Sequence, residues 1–108
     1  MIRIVFYRDQ DKRYLGFKAG GHAGYAEAGS DIVCAAVSAL VTNAVNSIEL
    51  LTANTLRVRT QEKSGQMAVK LGETATAEAQ LLLASLQIGL ESIEKEHRKY
   101  VQVVSKEV

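Results

Sequence analysis

The sequence predicts an α+β fold: a two-layer ββαββαβ domain in which one sheet packs against two helices. Three observations lead there. Several short stretches alternate apolar and polar residues, the period of a strand with one buried face. Two longer segments place apolar residues at helical spacing. Clusters of turn-forming residues separate consecutive strands, so the strands come as hairpins, and layers of this kind enclose one core.

Taken in order, Met1 to Tyr7 puts Ile2, Ile4 and Phe6 on one face and Arg3, Val5 and Tyr7 on the other. Asp9-Gln10-Asp11-Lys12 is a polar turn, and Tyr14 to Ala19 returns as the second strand with Leu15, Phe17 and Ala19 on a shared face. Gly20-Gly21-His22-Ala23-Gly24 breaks regular structure and, with Tyr25 to Gly29, predicts a long loop. A helix is expected from Ser30 or Asp31 to about Leu51. Ser30 is a good N-cap, and Asp31 suits the positive end of the helix dipole. The polar residues of this segment, among them Thr42, Asn43, Asn46 and Glu49, gather on a narrow stripe. A helix so apolar around its girth is expected to be buried on more than one side, one of them a candidate subunit interface. A second hairpin follows: Leu56, Val58 and Thr60 alternate with Arg57, Arg59 and Gln61, Glu62 to Gly65 turns, and Met67, Val69 and Leu71 mark the return. Thr74 or Thr76 could cap a second helix running to about Lys99, with Ala79, Leu82, Leu83, Leu86, Leu90 and Ile93 on its buried face. Tyr100 to Val104 is the closing strand.

The 108 residues suit one domain over 1–108. A chain of this size buries only a little over ~60% of its unfolded surface, so added stability from oligomerisation is expected. The net charge of +1, from 13 basic and 12 acidic residues, gives no general field for nucleic-acid steering, and no direct nucleic-acid binding is expected. No continuous apolar run approaches the roughly 18 residues of a membrane span, and Arg3 interrupts any signal-peptide core, so a cytoplasmic protein without membrane contact is expected. The single cysteine excludes an intrachain disulfide. No metal or other cofactor is expected, because two histidines and one cysteine so dispersed lack ligand spacing.

Two features converge on one point. Cys34, the only cysteine, falls in about the first turn of the long helix, and His22 lies in the glycine-rich loop just upstream. Unpaired N–H groups and the dipole at a helix N-terminus stabilise a thiolate. A histidine within reach can take the thiol proton and return it to a leaving amine. The same N–H groups can serve a tetrahedral oxyanion. Asp31 is the natural third residue, as an orienter of His22 or of the loop, since its charge opposes a thiolate. Ser38, one turn past Cys34, shares its face and could donate a hydrogen bond into the site. Each residue also has an ordinary reading: a buried small cysteine, a solvated loop histidine, a dipole-complementing aspartate, a serine bonded to the preceding turn.

Gly21-His22-Ala23, then Gly29, then Asp31-Ile32-Val33-Cys34-Ala35-Ala36-Val37-Ser38 resembles the signature of the ribosomal-processing cysteine proteases, the Prp family. The likeness extends over the whole chain in length, element order and the opening Ile-Arg-Ile-Val strand. It implies removal of a short N-terminal extension from a bacterial large-subunit ribosomal protein during ribosome assembly. It places the catalytic pair on Cys34 and His22, the family's aspartate on Asp31 and its helix serine on Ser38. Gly21 takes the glycine before the histidine, in a loop that admits substrate, where Gly24 and Tyr25 are further candidates. The resemblance also implies a homodimer.

Two rivals remain at this level. Arg57, Arg59, Lys63 and Lys70 on the second hairpin could touch RNA phosphates in a non-catalytic ribosome- or RNA-associated module. A thiol enzyme of another class is the second, although no resolving cysteine exists for redox chemistry.

Overall fold

A computed structural model of the chain describes residues 1–21, 30–61, 65–72 and 75–108. The elements follow in the predicted order: β1 (Ile2–Arg8), β2 (Tyr14–Gly20), α1 (Ser30–Leu51), β3 (Leu56–Gln61), β4 (Gln66–Leu71), α2 (Ala77–Glu96) and β5 (Val101–Glu107). The five strands form one sheet in the order β3-β4-β2-β1-β5, antiparallel except for β1 and β5, which run parallel.

The alternation read from the sequence becomes two faces of this sheet. Ile2, Ile4, Phe6, Phe17, Val69, Leu71 and Val101 turn inward and are buried. Both helices cover that face. From α1 come Val33, Val37, Val41, Ala44 and Ile48, and from α2 come Ala79, Leu83, Leu86 and Leu90, all in one apolar cluster. Phe6 packs edge-on against Tyr14 and at a tilt against Phe17, with ring centroids 5.7 and 5.8 Å apart. The β1–β2 ladder slips between Tyr7 and Arg8, which pair with Gly16 and Tyr14. Leu15 is therefore the extra residue of a bulge and stays exposed, not on the face of Phe17 as alternation predicted. Gly16 is required beside it, because a Cβ there would strike the Val69 carbonyl oxygen of β4.

Polar groups fix the second helix. Asn54, buried after α1, accepts from both the Thr76 amide at 2.8 Å and its hydroxyl at 2.6 Å. Thr76 in turn caps α2 by accepting from the Ala79 amide at 3.2 Å. Further along, Gln80 bonds both backbone groups of Tyr14, at 2.6 and 2.8 Å, and Gln87 accepts from the Tyr14 hydroxyl and donates to Ser105. Glu94 accepts from the Val103 amide at 2.7 Å. One edge of α2 is thereby tied to β2 and β5.

Several boundaries differ from the sequence reading. The helix expected to reach Lys99 ends at Glu96, where the His97 amide bonds back to Ile93 and Glu94. Three residues of turn then lead into β5, which continues to Glu107 because it pairs with the whole of β1. The start of α1 at Ser30 agrees with the expected start, although Ser30 is its first residue and not the residue before it. Within the chain α1 buries one stripe, not two. Ile32 and Leu50 remain 74% and 82% exposed, and their spacing of 18 residues is about five helical turns, so they share a face. By length and mean hydropathy alone α1 passes as a membrane-crossing helix, which the search for continuous apolar runs did not anticipate. Its buried stripe, however, is committed to the sheet and to α2.

Candidate active site

Where β2 ends and α1 begins, the two layers part and leave a cavity of about 250 Å³. Its helix wall is Cys34, Val37, Ser38, Val41 and Thr42. Positions 34, 38 and 41 are one and two turns apart, so the residues share a face. Its sheet wall is Ile2, Ala19, Gly20 and Gly21, and Gly65 with Met67 closes it from the second hairpin. Ala19 pairs with Met67 across the β2–β4 ladder, and that register puts the methionine in the wall.

Cys34 is half-buried: one side packs against the core and the other meets the cavity. It is the fifth residue of α1, so it opens the second turn, one step beyond the first turn expected from the sequence. Helical side chains lean toward the N-terminus, which brings the thiol over the turn whose N–H groups have no intrahelical partner. The side chain is thus neither a fully buried core cysteine nor a freely exposed one.

The remaining candidates divide. Ser38 reaches the cavity with Cys34. Asp31 is exposed and does not line it. Gly21 lines it and has φ of +91°, a conformation open to glycine and strained for other residues. A Cβ on Gly21 would strike the Met1 carbonyl oxygen and lie 3.2 Å from the Met1 carbonyl carbon. His22, Gly24 and Tyr25 lie outside the described residues, as does Lys63 of the second hairpin. Among the described residues no three His, Cys, Asp or Glu side chains gather as a metal site would need.

The chemical capacity follows. The lining is largely apolar, and the volume falls below the ~300–1,000 Å³ of pockets that take a whole small ligand, so it suits one large side chain. A peptide that seats a side chain there brings its backbone past the thiol. Sequence reasoning missed Met67, Thr42, Val41 and Ile2 as walls. The inward alternation of Ile2 and Met67 was visible, but their meeting depends on which strands pair, and Val41 and Thr42 join them only because α1 lies across that end of the sheet.

Comparison with known proteins gives concordant results. A family model described as cysteine protease Prp matches residues 1–102. The ribosomal processing cysteine protease Prp of Bacillus subtilis is 34% identical over 109 residues, covering 97% of each chain. The crystal structure of the essential ribosomal processing protease Prp from S. aureus with a covalently linked product peptide superposes with a TM-score of 0.89. That match has 29% identity and covers 98% of this chain and 100% of that one. The same enzyme with a substrate peptide superposes at 0.90, with 28% identity and the same coverage.

Proposed function

Because the chain belongs to the cysteine protease Prp family, and is a cysteine protease, we propose that it removes the short N-terminal extension of a large-subunit ribosomal protein by acyl transfer through Cys34. In this reading the Cys34 thiolate attacks the scissile carbonyl, and the unpaired N–H groups of the first turn of α1 receive the oxyanion. His22 takes the thiol proton and delivers it to the leaving amine. Water then hydrolyses the thioester with His22 as base. Ser38 donates into the site from the turn after Cys34, and Asp31 orients the loop. Gly21, Gly24 and Tyr25 belong to the segment that receives the substrate.

The observation that carries the reading is the half-buried cysteine on the wall of an apolar cavity near the start of a helix, in a chain like enzymes solved with substrate and with covalently linked product peptides. The apolar cavity fits an extension that presents a large apolar side chain at the cut. A homodimer in the cytoplasm completes the proposal. Ile32 and Leu50 give α1 an exposed apolar face for a second copy.

The test is mass spectrometry of the extended ribosomal protein after incubation with the parent enzyme and with Cys34→Ala. Loss of the extension with the parent alone is the expected result. Intact protein in both samples, with soluble substrate and folded enzyme, would remove the processing assignment.

A further inference from the structure

Both helices cover one face of the sheet; the other face is open, and its composition departs sharply from that of the chain. Strand alternation and register fix which residues project there. One row crosses all five strands: Lys106 of β5, Tyr7 of β1, Gly16 of β2, Lys70 of β4 and Arg57 of β3. The next row is Val104, Val5, Lys18, Ala68 and Arg59. Arg3 heads the third. The outward strand positions therefore carry six cations and no carboxylate, in a chain whose net charge is only +1. The balancing acids lie elsewhere, six of them on the exposed or half-exposed surfaces of the two helices: Asp31, Glu49, Glu78, Glu91, Glu94 and Glu96.

The arrangement works against stability. Arg57 and Lys70 face each other directly across the β3–β4 ladder, a placement that is destabilising between like charges. The face is also grooved. A cavity of about 590 Å³ runs past Tyr7, Lys18, Arg57, Arg59 and Lys70. A second, of about 330 Å³, adds Arg3 and Lys106 and shares Tyr7 and Lys18 with the first. Tyr7, which lines both, is half-buried.

We propose that the open face of the sheet is a binding surface for single-stranded RNA. A polyanion relieves the repulsion between Arg57 and Lys70 and matches a face on which each of the five strands carries at least one cation. The tyrosine offers a ring on which an unpaired base stacks, the means by which sheet surfaces hold splayed strands. A second copy of this chain is a poor occupant, because a two-fold contact would press cations against cations. The Cys34 cavity opens between the sheet and α1, whereas the basic rows project from the opposite side of the sheet. The smaller groove reaches the rim of that cavity at Gly20 and Gly21, which line both. The overall charge balance concealed the extent of this surface: the sequence pointed to the basic residues of the second hairpin, and the register adds Arg3, Lys18 and Lys106 from the other strands.

The experiment is fluorescence anisotropy with a short, labelled, mixed-sequence single-stranded RNA, titrated with the whole chain between about 50 and 200 mM salt. Single-strand contacts contribute a logarithmic salt slope of about −0.7 per phosphate, so six cations give about −4 and a loss of affinity on the order of 10²-fold over that range. The triple variant Arg57→Gln/Arg59→Gln/Lys70→Gln should halve the slope and weaken binding at least tenfold at the lower salt. Its melting temperature should be unchanged or raised, because the like-charge pair is gone. Tyr7→Leu keeps the apolar cover and should cost about fivefold or more in affinity with little change in slope. The pair Lys18→Gln/Lys106→Gln reports on the same surface independently of the hairpin. Binding that ignores salt, or variants that bind as the parent does, would overturn the proposal. Polyglutamate bound as tightly as the RNA would do so in favour of an acidic protein partner.

Discussion

Replacing Gly21 by alanine should separate catalysis from folding. Gly21 has φ of +91° and lines the Cys34 cavity, immediately before His22 in the chain. A left-handed conformation costs a residue with a Cβ roughly 1–2 kcal/mol. Restriction of the unfolded chain returns about 0.4–1 kcal/mol of that. The added contact with the Met1 carbonyl oxygen cannot persist. Met1 is exposed, while the next residue is held by the Ile2 amide bonding the Tyr100 carbonyl at 2.7 Å. The terminal carbonyl and the end of β2 therefore move apart, and the net destabilisation is about 1–3 kcal/mol. For a domain of this size that lowers Tm by about 4 °C per kcal/mol. The effect on chemistry is larger, because a shift of about 1 Å in a positioning segment can cost on the order of 10²-fold in rate. The assay is kcat/KM on a peptide spanning the cleavage point, beside thermal melting. Gly21→Asn is the control: asparagine tolerates positive φ but carries the same Cβ. It should regain part of the melting temperature and little of the activity. An alanine variant within a few-fold of the parent in kcat/KM would refute the argument that this backbone position governs the site.

Other outcomes follow from the same geometry. Cys34→Ala should abolish cleavage while shifting stability by less than about 1 kcal/mol, since a half-buried sulfur is all that is lost; melting and progress curves together check this. Ala19→Leu places a larger side chain beside Met67 in the cavity wall, and should raise KM selectively for substrates with a large apolar residue at the cut, as a panel of peptides would show. Asn54→Ala leaves the Thr76 amide and hydroxyl without their shared acceptor, at a cost of about 1–3 kcal/mol readable in urea denaturation. Leu50→Asp on the exposed face of α1 should convert a dimer to a monomer in sedimentation velocity without unfolding it, and an unchanged sedimentation coefficient would place the subunit contact elsewhere.

The fold class was legible because hydrophobic period is a local signal. Ile2, Ile4 and Phe6 announce a strand, and Leu83, Leu86 and Leu90 a helix, whatever lies elsewhere in the chain. Strand order was not legible, because pairing β4 with β2 and β5 with β1 joins segments far apart in sequence, and nothing in the local pattern of Met67 or Val101 names its neighbour. Element ends were intermediate. Thr76 was one of two possible caps until Asn54 reached it from the end of α1. The stop of α2 at Glu96 was invisible, since no glycine or proline marks it and Lys95 to Lys99 are acceptable helix residues.

The site shows the same division with a sharper consequence. Cys34 and Ser38 could be placed on one face from spacing alone, since four residues make about one turn. Gly21 was singled out by the family resemblance, as the glycine before the histidine, and its φ is one that glycine permits. What spacing could not supply was the reason a thiol with apolar neighbours escapes full burial. That reason is the small residues opposite it. Ala19 and Gly20 end β2 and Gly21 follows it, all with little or no side chain, where the layers part at the start of α1. A larger residue at Ala19, which packs against the core, would narrow the gap and bury more of Cys34, whereas a Cβ at Gly20 would meet the Gln66 side chain and one at Gly21 the Met1 carbonyl oxygen. In this chain the accessibility of the cysteine is therefore set in part on the facing strand, at Ala19, by a small side chain that carries no chemistry of its own.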